Sequence, residues 1–336
     1  MISYTPNRLV FSTYDKNTVH LYDIEKMRVS ASAQGIQIKH GQGIPWSHVK
    51  EIPGSDMIIS YCVKWNEAAN LQLIDVSKGT LKEIFTFEEF HGEVGYEDIA
   101  YSPKRNLLAL ISVKSKISYH LFERQNESQV SLVQKAKWHS QHATNNLSAI
   151  DINPDGRLVA TTDHKGTCLI SELDSQAYLY HKTFEISNED DCVCQWSPFT
   201  GSNLLYVQYD RNQLNILDVE KKELIFEKSV VFEKDSSGYI QSMDVCPNYP
   251  NLLALVGNEQ TLNIFDQRSG TVVKEILPKK LHNDQVNCVR WDQAGATLAT
   301  CSWDRTAKLI DFRAEKALLQ ATSSDGHVVC SVCILN

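Results

Sequence analysis

The feature that most constrains this chain is a short closing signature, one or two apolar residues followed by an acid, that returns seven times. It occurs at Leu21-Tyr22-Asp23, Leu73-Ile74-Asp75, Leu121-Phe122-Glu123, Ile170-Ser171-Glu172, Ile216-Leu217-Asp218, Ile264-Phe265-Asp266 and Leu309-Ile310-Asp311. The gaps between successive acids are 52, 48, 49, 46, 48 and 45 residues. A near-constant period in this range is the mark of a repeat architecture, in which each unit buries its apolar faces against its neighbours.

Each signature has the same surroundings. Ahead of it lies a short apolar strand pattern opened by a turn, as in Arg8-Leu9-Val10, Asn106-Leu107-Leu108, Arg157-Leu158-Val159 and Thr297-Leu298-Ala299. Several of these turns are rich in Pro, Gly and Asn (SPKRN, NPDGR, SPFTGSN, CPNYPN). Pro presets φ, while Gly and Asn tolerate φ > 0. Behind each signature come a polar turn and another strand pattern, such as TLKEIFTF or TVVKEIL. Each unit therefore reads as four short antiparallel strands, the size and order of a propeller blade.

The two chain ends complement each other. The first unit starts directly at its second strand, RLVFSTYD, whereas a surplus strand pattern, Val328 to Ile334, follows the last unit. Pairing the two fills the vacancy and removes an exposed sheet edge. The fold class expected is all-β: a single seven-bladed β-propeller whose ring is closed by the C-terminal strand (about 326–335) pairing into the N-terminal blade. The expected blades are 326–336 plus 1–35, 43–90, 94–138, 145–186, 190–233, 238–278 and 282–322, forming one domain over 1–336.

The best-preserved unit ends in Cys301-Ser302-Trp303-Asp304-Arg305-Thr306, with His282 ahead of it. A loop His, a strand Ser or Thr, a turn Asp and a closing aliphatic-Asp resemble one repeat of the WD-repeat (WD40) family. In that family such residues form a hydrogen-bonded relay with a Trp of the third strand. Here the resemblance implies a structural relay of His282, Ser302 (or Thr300) and Asp304, with Ile310 at the Trp position. Other units depart from the pattern: Glu259 stands at the turn-Asp position of the sixth and Lys165 at that of the fourth.

Composition limits the functional classes. The net charge is −8, with 33 Lys and Arg against 41 Asp and Glu. Phosphate binding needs clustered cations, so nucleic acid is not the expected main ligand. No apolar stretch approaches the roughly 20 residues of a membrane-spanning helix, and the N-terminal residues show no secretory signal. Nine cysteines, an odd number without framework spacing, fit packed thiols in a reducing compartment, so a cytoplasmic or nuclear protein is expected.

No constellation of a nucleophile, base and orienter is visible, and no phosphate-binding or zinc-protease motif occurs. Cys330 and Cys333, three apart in a strand, point to opposite faces. Cys192 and Cys194 share a face but have no second pair at zinc spacing. His139 and His142 read as solvated loop residues. A non-enzyme is expected, with no cofactor and no metal. A site in the central channel would have to draw on Glu97, His164 and Glu259, which are poorly matched.

The expected function is a protein-interaction scaffold or adaptor in a multiprotein complex, binding a peptide or partner protein on the entrance face of the propeller. The residues placed there are Trp303, Gln285, Asn287, Tyr239, Gln241, Asn146, Ser148, His164, Glu97, Trp46 and Trp65. Trp303 leads, because aromatics are enriched among binding hot spots. A narrower alternative comes from Asp266-Gln267-Arg268 and Asp311-Phe312-Arg313. An Arg two residues after the closing acid resembles the ending of propellers that dock onto cullin–RING ubiquitin ligase adaptors, which would make Arg268 and Arg313 docking residues.

Overall fold

The computed structural model describes residues 8–14, 18–24, 26, 28–34, 46–52, 55–63, 71–87, 96–112, 116–126, 129–139, 141–142, 147–184, 192–210, 212–230, 239–277, 281–323 and 326–335. They form seven four-stranded antiparallel sheets, which make the chain a seven-bladed β-propeller. No helix among the described residues is long and apolar enough to cross a membrane.

Blade 1 is built from both ends of the chain: Val329–Leu335, Arg8–Thr13, Thr18–Asp23 and Arg28–Gln34, in that order. The C-terminal strand pairs antiparallel with Arg8–Thr13, placing Leu9 opposite Ile334 and Phe11 opposite Val332. All seven residues of Val329–Leu335 are buried. This is the closure expected from the surplus strand.

The chain divides into two compact units. One, Met1–Val63, Asn70–Glu88 and Phe232–Asn336, holds blades 6, 7, 1 and 2. Their first strands are Ile240–Val245, Val286–Trp291, Val329–Leu335 and Trp46–Glu51. The other, Lys64–Ala69 and Glu89–Val231, holds blades 3, 4 and 5, whose first strands are Tyr96–Ser102, Leu147–Ile152 and Val193–Trp196. Within each unit, successive blades meet through these first strands.

Apolar clusters fill the space between blades. Between blades 6 and 7 lie Val256, Ile264, Val289, Trp291 and Ile310, and between blades 7 and 1 lie Cys288, Cys301, Leu309, Phe11 and Val332. In the other unit, Trp196, Tyr209, Phe184 and Ile170 pack between blades 4 and 5. Burial falls across each sheet. The first strand of blade 7 is buried or half-buried throughout, whereas its fourth, Lys316–Thr322, shows every second side chain to water.

Two local devices recur. First, in six of the blades the closing acid ends the third strand, and as an Asp it caps the following turn. Asp23, Asp75, Asp218, Asp266 and Asp311 accept backbone N–H bonds from Lys26, Ser77, Lys221, Arg268 and Arg313 at 2.8–3.1 Å. Glu172 instead accepts the Ser175 hydroxyl at 2.6 Å. In blade 3 the strand runs past Glu123 to Asn126 and returns as Gln129–His139.

Second, bulges shift the register near the start of the first strand at Glu97, Ser148, Gln241 and Asn287. A further bulge in the fourth strand turns Leu179, Ile225, Val273 and Leu318 out to solvent. A bulge adds one residue to one strand and re-aims its side chain.

Candidate functional site

The tight turn between second and third strands positions the first group. In blade 7, Ser302 ends the second strand, Trp303 and Asp304 form the turn, Arg305 takes the left-handed conformation (φ 71°), and Thr306 begins the third strand. Asp304 Oδ2 accepts His282 Nδ1–H at 3.0 Å and the Asn283 N–H at 2.9 Å. Its Oδ1 accepts the Thr306 N–H at 3.0 Å and the Thr306 hydroxyl at 2.6 Å.

Burial alone would raise the Asp304 carboxyl, but these donors, led by His282, hold it well below the usual carboxylate range. Burial pushes the His282 imidazole down, with Asp304 opposing. The ring is therefore neutral at pH 7. A carboxylate only accepts, so the ring proton sits on Nδ1, and Nε2 accepts the Thr300 hydroxyl at 2.9 Å.

The strand member of the relay is thus Thr300 and not Ser302. Ser302 is engaged elsewhere, its hydroxyl donating to Asp284 O at 3.1 Å and accepting the Asp304 N–H at 3.0 Å. Thr300 and Ser302 both precede the turn, but only the residue two further from it comes level with the His282 ring. The Trp position, Ile310, is fully buried and contributes packing alone.

Blade 4 carries a second relay, which corrects two expectations. His142 is not a solvated loop residue: its side chain is fully buried, with Nδ1 at 2.9 Å from Asp163 Oδ2 and Nε2 at 3.0 Å from Thr161 Oγ1. Lys165 does occupy the position of Asp304, yet the relay survives. Asp163, at the position of Ser302, reaches the imidazole from the end of the strand. Its Oδ1 caps the turn through the N–H groups of Lys165 (3.0 Å) and Thr167 (2.8 Å). Gly166 (φ 76°) supplies the left-handed residue that Arg305 supplies in blade 7.

The expected binding residues fall into separate groups. In the four-blade unit, Trp303 is 41% exposed at the turn tip, with its backbone N–H bonded to Gln285 O at 3.0 Å. Gln285 Nε2 lies 3.4 Å from Gln241 Oε1, so these two amides meet across blades 7 and 6. Tyr239 is half-buried, its N–H held by Asn258 Oδ1 at 2.9 Å. Asn287 is spent between blades, donating to Val329 O of blade 1 at 2.8 Å.

In the three-blade unit, Ser148 has the same duty, donating to Cys192 O of blade 5 at 2.6 Å. His164 takes the turn position that Trp303 has in blade 7, and Glu97 is the bulged residue of blade 3; both are half-buried. Asn146 and Trp65 lie outside the described residues, as does the side chain of Trp46.

At the opposite end of the third strands, Arg268 is turned back onto its own signature, with Nη2 2.7 Å from Asp266 Oδ2. Arg313 is exposed; its backbone N–H bonds Asp311 at 2.8 Å. Cys192, Cys194, Cys330 and Cys333 are all free and buried. Among the described residues no three His, Cys, Asp or Glu side chains are grouped to hold a metal.

One group escaped sequence reasoning altogether. Glu51, the last residue of the first strand of blade 2, is half-buried, and burial together with Asp244 raises its carboxyl to about 7, against opposition from Gln293 and Arg290. In sequence it is an ordinary strand-end acid after Lys50. Only the approach of blades 6 and 7 gives it this environment.

A family model described as WD domain, G-beta repeat matches residues 133–170 and 275–311. These are the segments that contain His142, Thr161 and Asp163, and His282, Thr300 and Asp304. The protein is a WD-repeat β-propeller. Each of its two matched repeats carries a complete His–Thr–Asp relay. WD-repeat propellers commonly act as scaffolds for protein interaction, and they are typically non-catalytic.

Proposed function

We propose that this WD-repeat protein is a non-catalytic adaptor that holds a peptide or partner protein on the face carrying Trp303, Gln285 and Gln241. The observation that carries the reading is Trp303: a large aromatic held out at a turn tip by a backbone bond, beside the glutamine amides of half-buried Gln285 and exposed Gln241. An indole offers broad contact area at low entropic cost, and the amides offer both donors and acceptors to a peptide backbone. The rigid blades lower the ordering cost of binding.

The imidazoles of the two relays support the non-catalytic reading. His142 and His282 are each bonded at both ring nitrogens to structural partners. The protein is proposed to work in the cytoplasm or nucleus, as part of a complex; the eight described cysteines, all free and buried, are consistent with a reducing compartment.

The test is affinity purification with mass spectrometry from the native source, followed by affinity measurement for each captured partner, on wild type and Trp303→Ala. The expected result is a partner that the variant binds more weakly by about 2 kcal/mol or more, at an unchanged melting temperature. Equal binding by both proteins, or unfolding of the variant, rejects the assignment.

A substrate-receptor role in a cullin–RING ligase rests on Arg313, whose guanidinium is exposed, while Arg268 is engaged by Asp266. Loss of adaptor capture in Arg313→Ala and its retention in Arg268→Ala is the pattern this second reading requires.

A further inference from the structure

The cross-strand register of blade 7 sets Cys288 of the first strand directly opposite Cys301 of the second. Directly opposed residues of antiparallel strands have Cα atoms roughly 4.5 or 5.5 Å apart, depending on whether the pair exchanges hydrogen bonds. Both spacings lie within the roughly 4.4–6.8 Å that a disulfide spans. Opposed side chains also share one face of the sheet. Here it is the face packed against blade 1, where Phe11, Val329 and Val332 surround the two sulfurs.

The Cys301 thiol and the Arg290 guanidinium, two residues along the strand, hold the Cys288 thiol below its ordinary range, and Cys288 Sγ lies 4.0 Å from Val332 O. Burial and Cys288 push Cys301 up. The pair therefore has the asymmetry of an attacking thiolate and a waiting thiol. Cys288 is also the less buried of the two, 5% exposed against 0%. Three other buried cysteines have a paired residue across the strand, and none of those partners is a cysteine: Cys168 faces Thr162 and Lys182, Cys194 faces Val207, and Cys333 faces Val10.

We propose that Cys288 and Cys301 are a redox-modification site, a dithiol that a peroxide converts to a cross-strand disulfide. The Cys288 thiolate attacks one peroxide oxygen, giving a sulfenic acid and releasing hydroxide from hydrogen peroxide. Cys301 sulfur then attacks the Cys288 sulfur. The sulfenic oxygen leaves with the Cys301 proton as water, and the S–S bond forms. Two thiols are oxidised by two electrons and one peroxide is reduced to two waters; a dithiol reductant reverses the step. The bond ties together the two strands whose upper ends carry Gln285 and Trp303.

Trypsin cuts between the two cysteines after Arg290, so the site can be mapped without substitution. The folded protein is treated with hydrogen peroxide, free thiols are alkylated, and the non-reduced digest is analysed by mass spectrometry. The expected product links peptides 281–290 and 291–305, disappears on reduction, and leaves two fewer thiols open to alkylation. It persists in Cys330→Ser, and the oxidised wild type melts at a higher temperature than the reduced protein. A link from 291–305 to the C-terminal peptide 317–336, which holds Cys330 and Cys333, overturns the proposal. So does full alkylation of both cysteines in the unfolded, peroxide-treated protein, or sulfinic acid at Cys288 without the cross-link.

Discussion

Glu51 gives the protein a stability that falls as the solution becomes neutral. Its folded carboxyl titrates near 7, against 4.5 ordinarily, because burial and the nearby Asp244 and Asp292 disfavour the charge more than Gln293 and Arg290 favour it. The folded protein binds this proton more tightly than the unfolded chain. Stability is therefore greatest below about pH 4.5, declines through the interval up to 7, and carries the whole penalty above it. A shift of this size corresponds to about 3 kcal/mol, and the partial exposure of Glu51 reduces it to about 2 kcal/mol. Glu51→Gln keeps the shape and the contact with Gln293 but cannot ionise. Urea unfolding of both proteins from pH 4 to 8 isolates the effect, since every other titrating group cancels in the difference. The two should be equally stable near pH 4, and the variant should gain about 2 kcal/mol by pH 8. A difference that stays flat, or that favours the wild type above pH 7, refutes the placement of Glu51 among these acids.

Three further outcomes follow from particular contacts. His142→Ala strands the Asp163 carboxylate and the Thr161 hydroxyl in a buried site and should cost about 3 kcal/mol in urea unfolding; a cost below about 1 kcal/mol contradicts the blade 4 relay. A Cβ on Gly257 would lie 1.7 Å from Tyr239 O, so Gly257→Ala must displace backbone and should destabilise by at least about 2 kcal/mol, whereas Gly79→Ala meets no neighbour and should lose only the φ preference that glycine satisfies there. Deleting residues 326–336 uncovers Leu9 and Phe11 and leaves Arg8–Thr13 as an unpaired edge; the truncated protein should be insoluble, and a soluble, cooperatively melting one contradicts the closure of blade 1.

The repeat was legible in the sequence because its cause is local. An Asp at the end of the third strand caps the next turn with its own side chain, so the turn geometry and the residue travel together at Asp23, Asp75, Asp218, Asp266 and Asp311. The closure of blade 1 was legible for a related reason: a strand without its sheet and a sheet without its strand were both visible. The relay of blade 4 was not. A search by aligned position stops at Lys165, whereas the imidazole needs only a carboxylate at the right point in space. Asp163 provides it from two residues earlier. The same blindness made His142 look like a loop residue, since nothing in KWHSQHATNN marks it as folded inward. Glu51 was beyond reach, because its partners come from blades far away in the sequence.

What joins one blade to the next is a second pattern, less visible than the relay and more widely used. Asp151 Oδ2 accepts the Trp196 N–H at 2.7 Å, and Asp244 Oδ2 accepts the Trp291 N–H at 2.6 Å. In both pairs the indole N–H also donates to the Asp backbone carbonyl, at 3.3 and 3.2 Å. One tier higher, Asp98 accepts the Ile150 N–H at 3.1 Å and Ser242 accepts the Val289 N–H at 3.3 Å. First strands of neighbouring blades do not pair with each other, so their inward N–H groups would be buried without acceptors, at a cost of about 1–3 kcal/mol each. A short acceptor side chain on the preceding blade removes that cost. The relays of blades 4 and 7 secure single turns, whereas these clamps secure the seams between blades 3 and 4, 4 and 5, and 6 and 7. Seam and relay thus divide the work: one joins neighbouring sheets and the other fixes a turn within a single sheet.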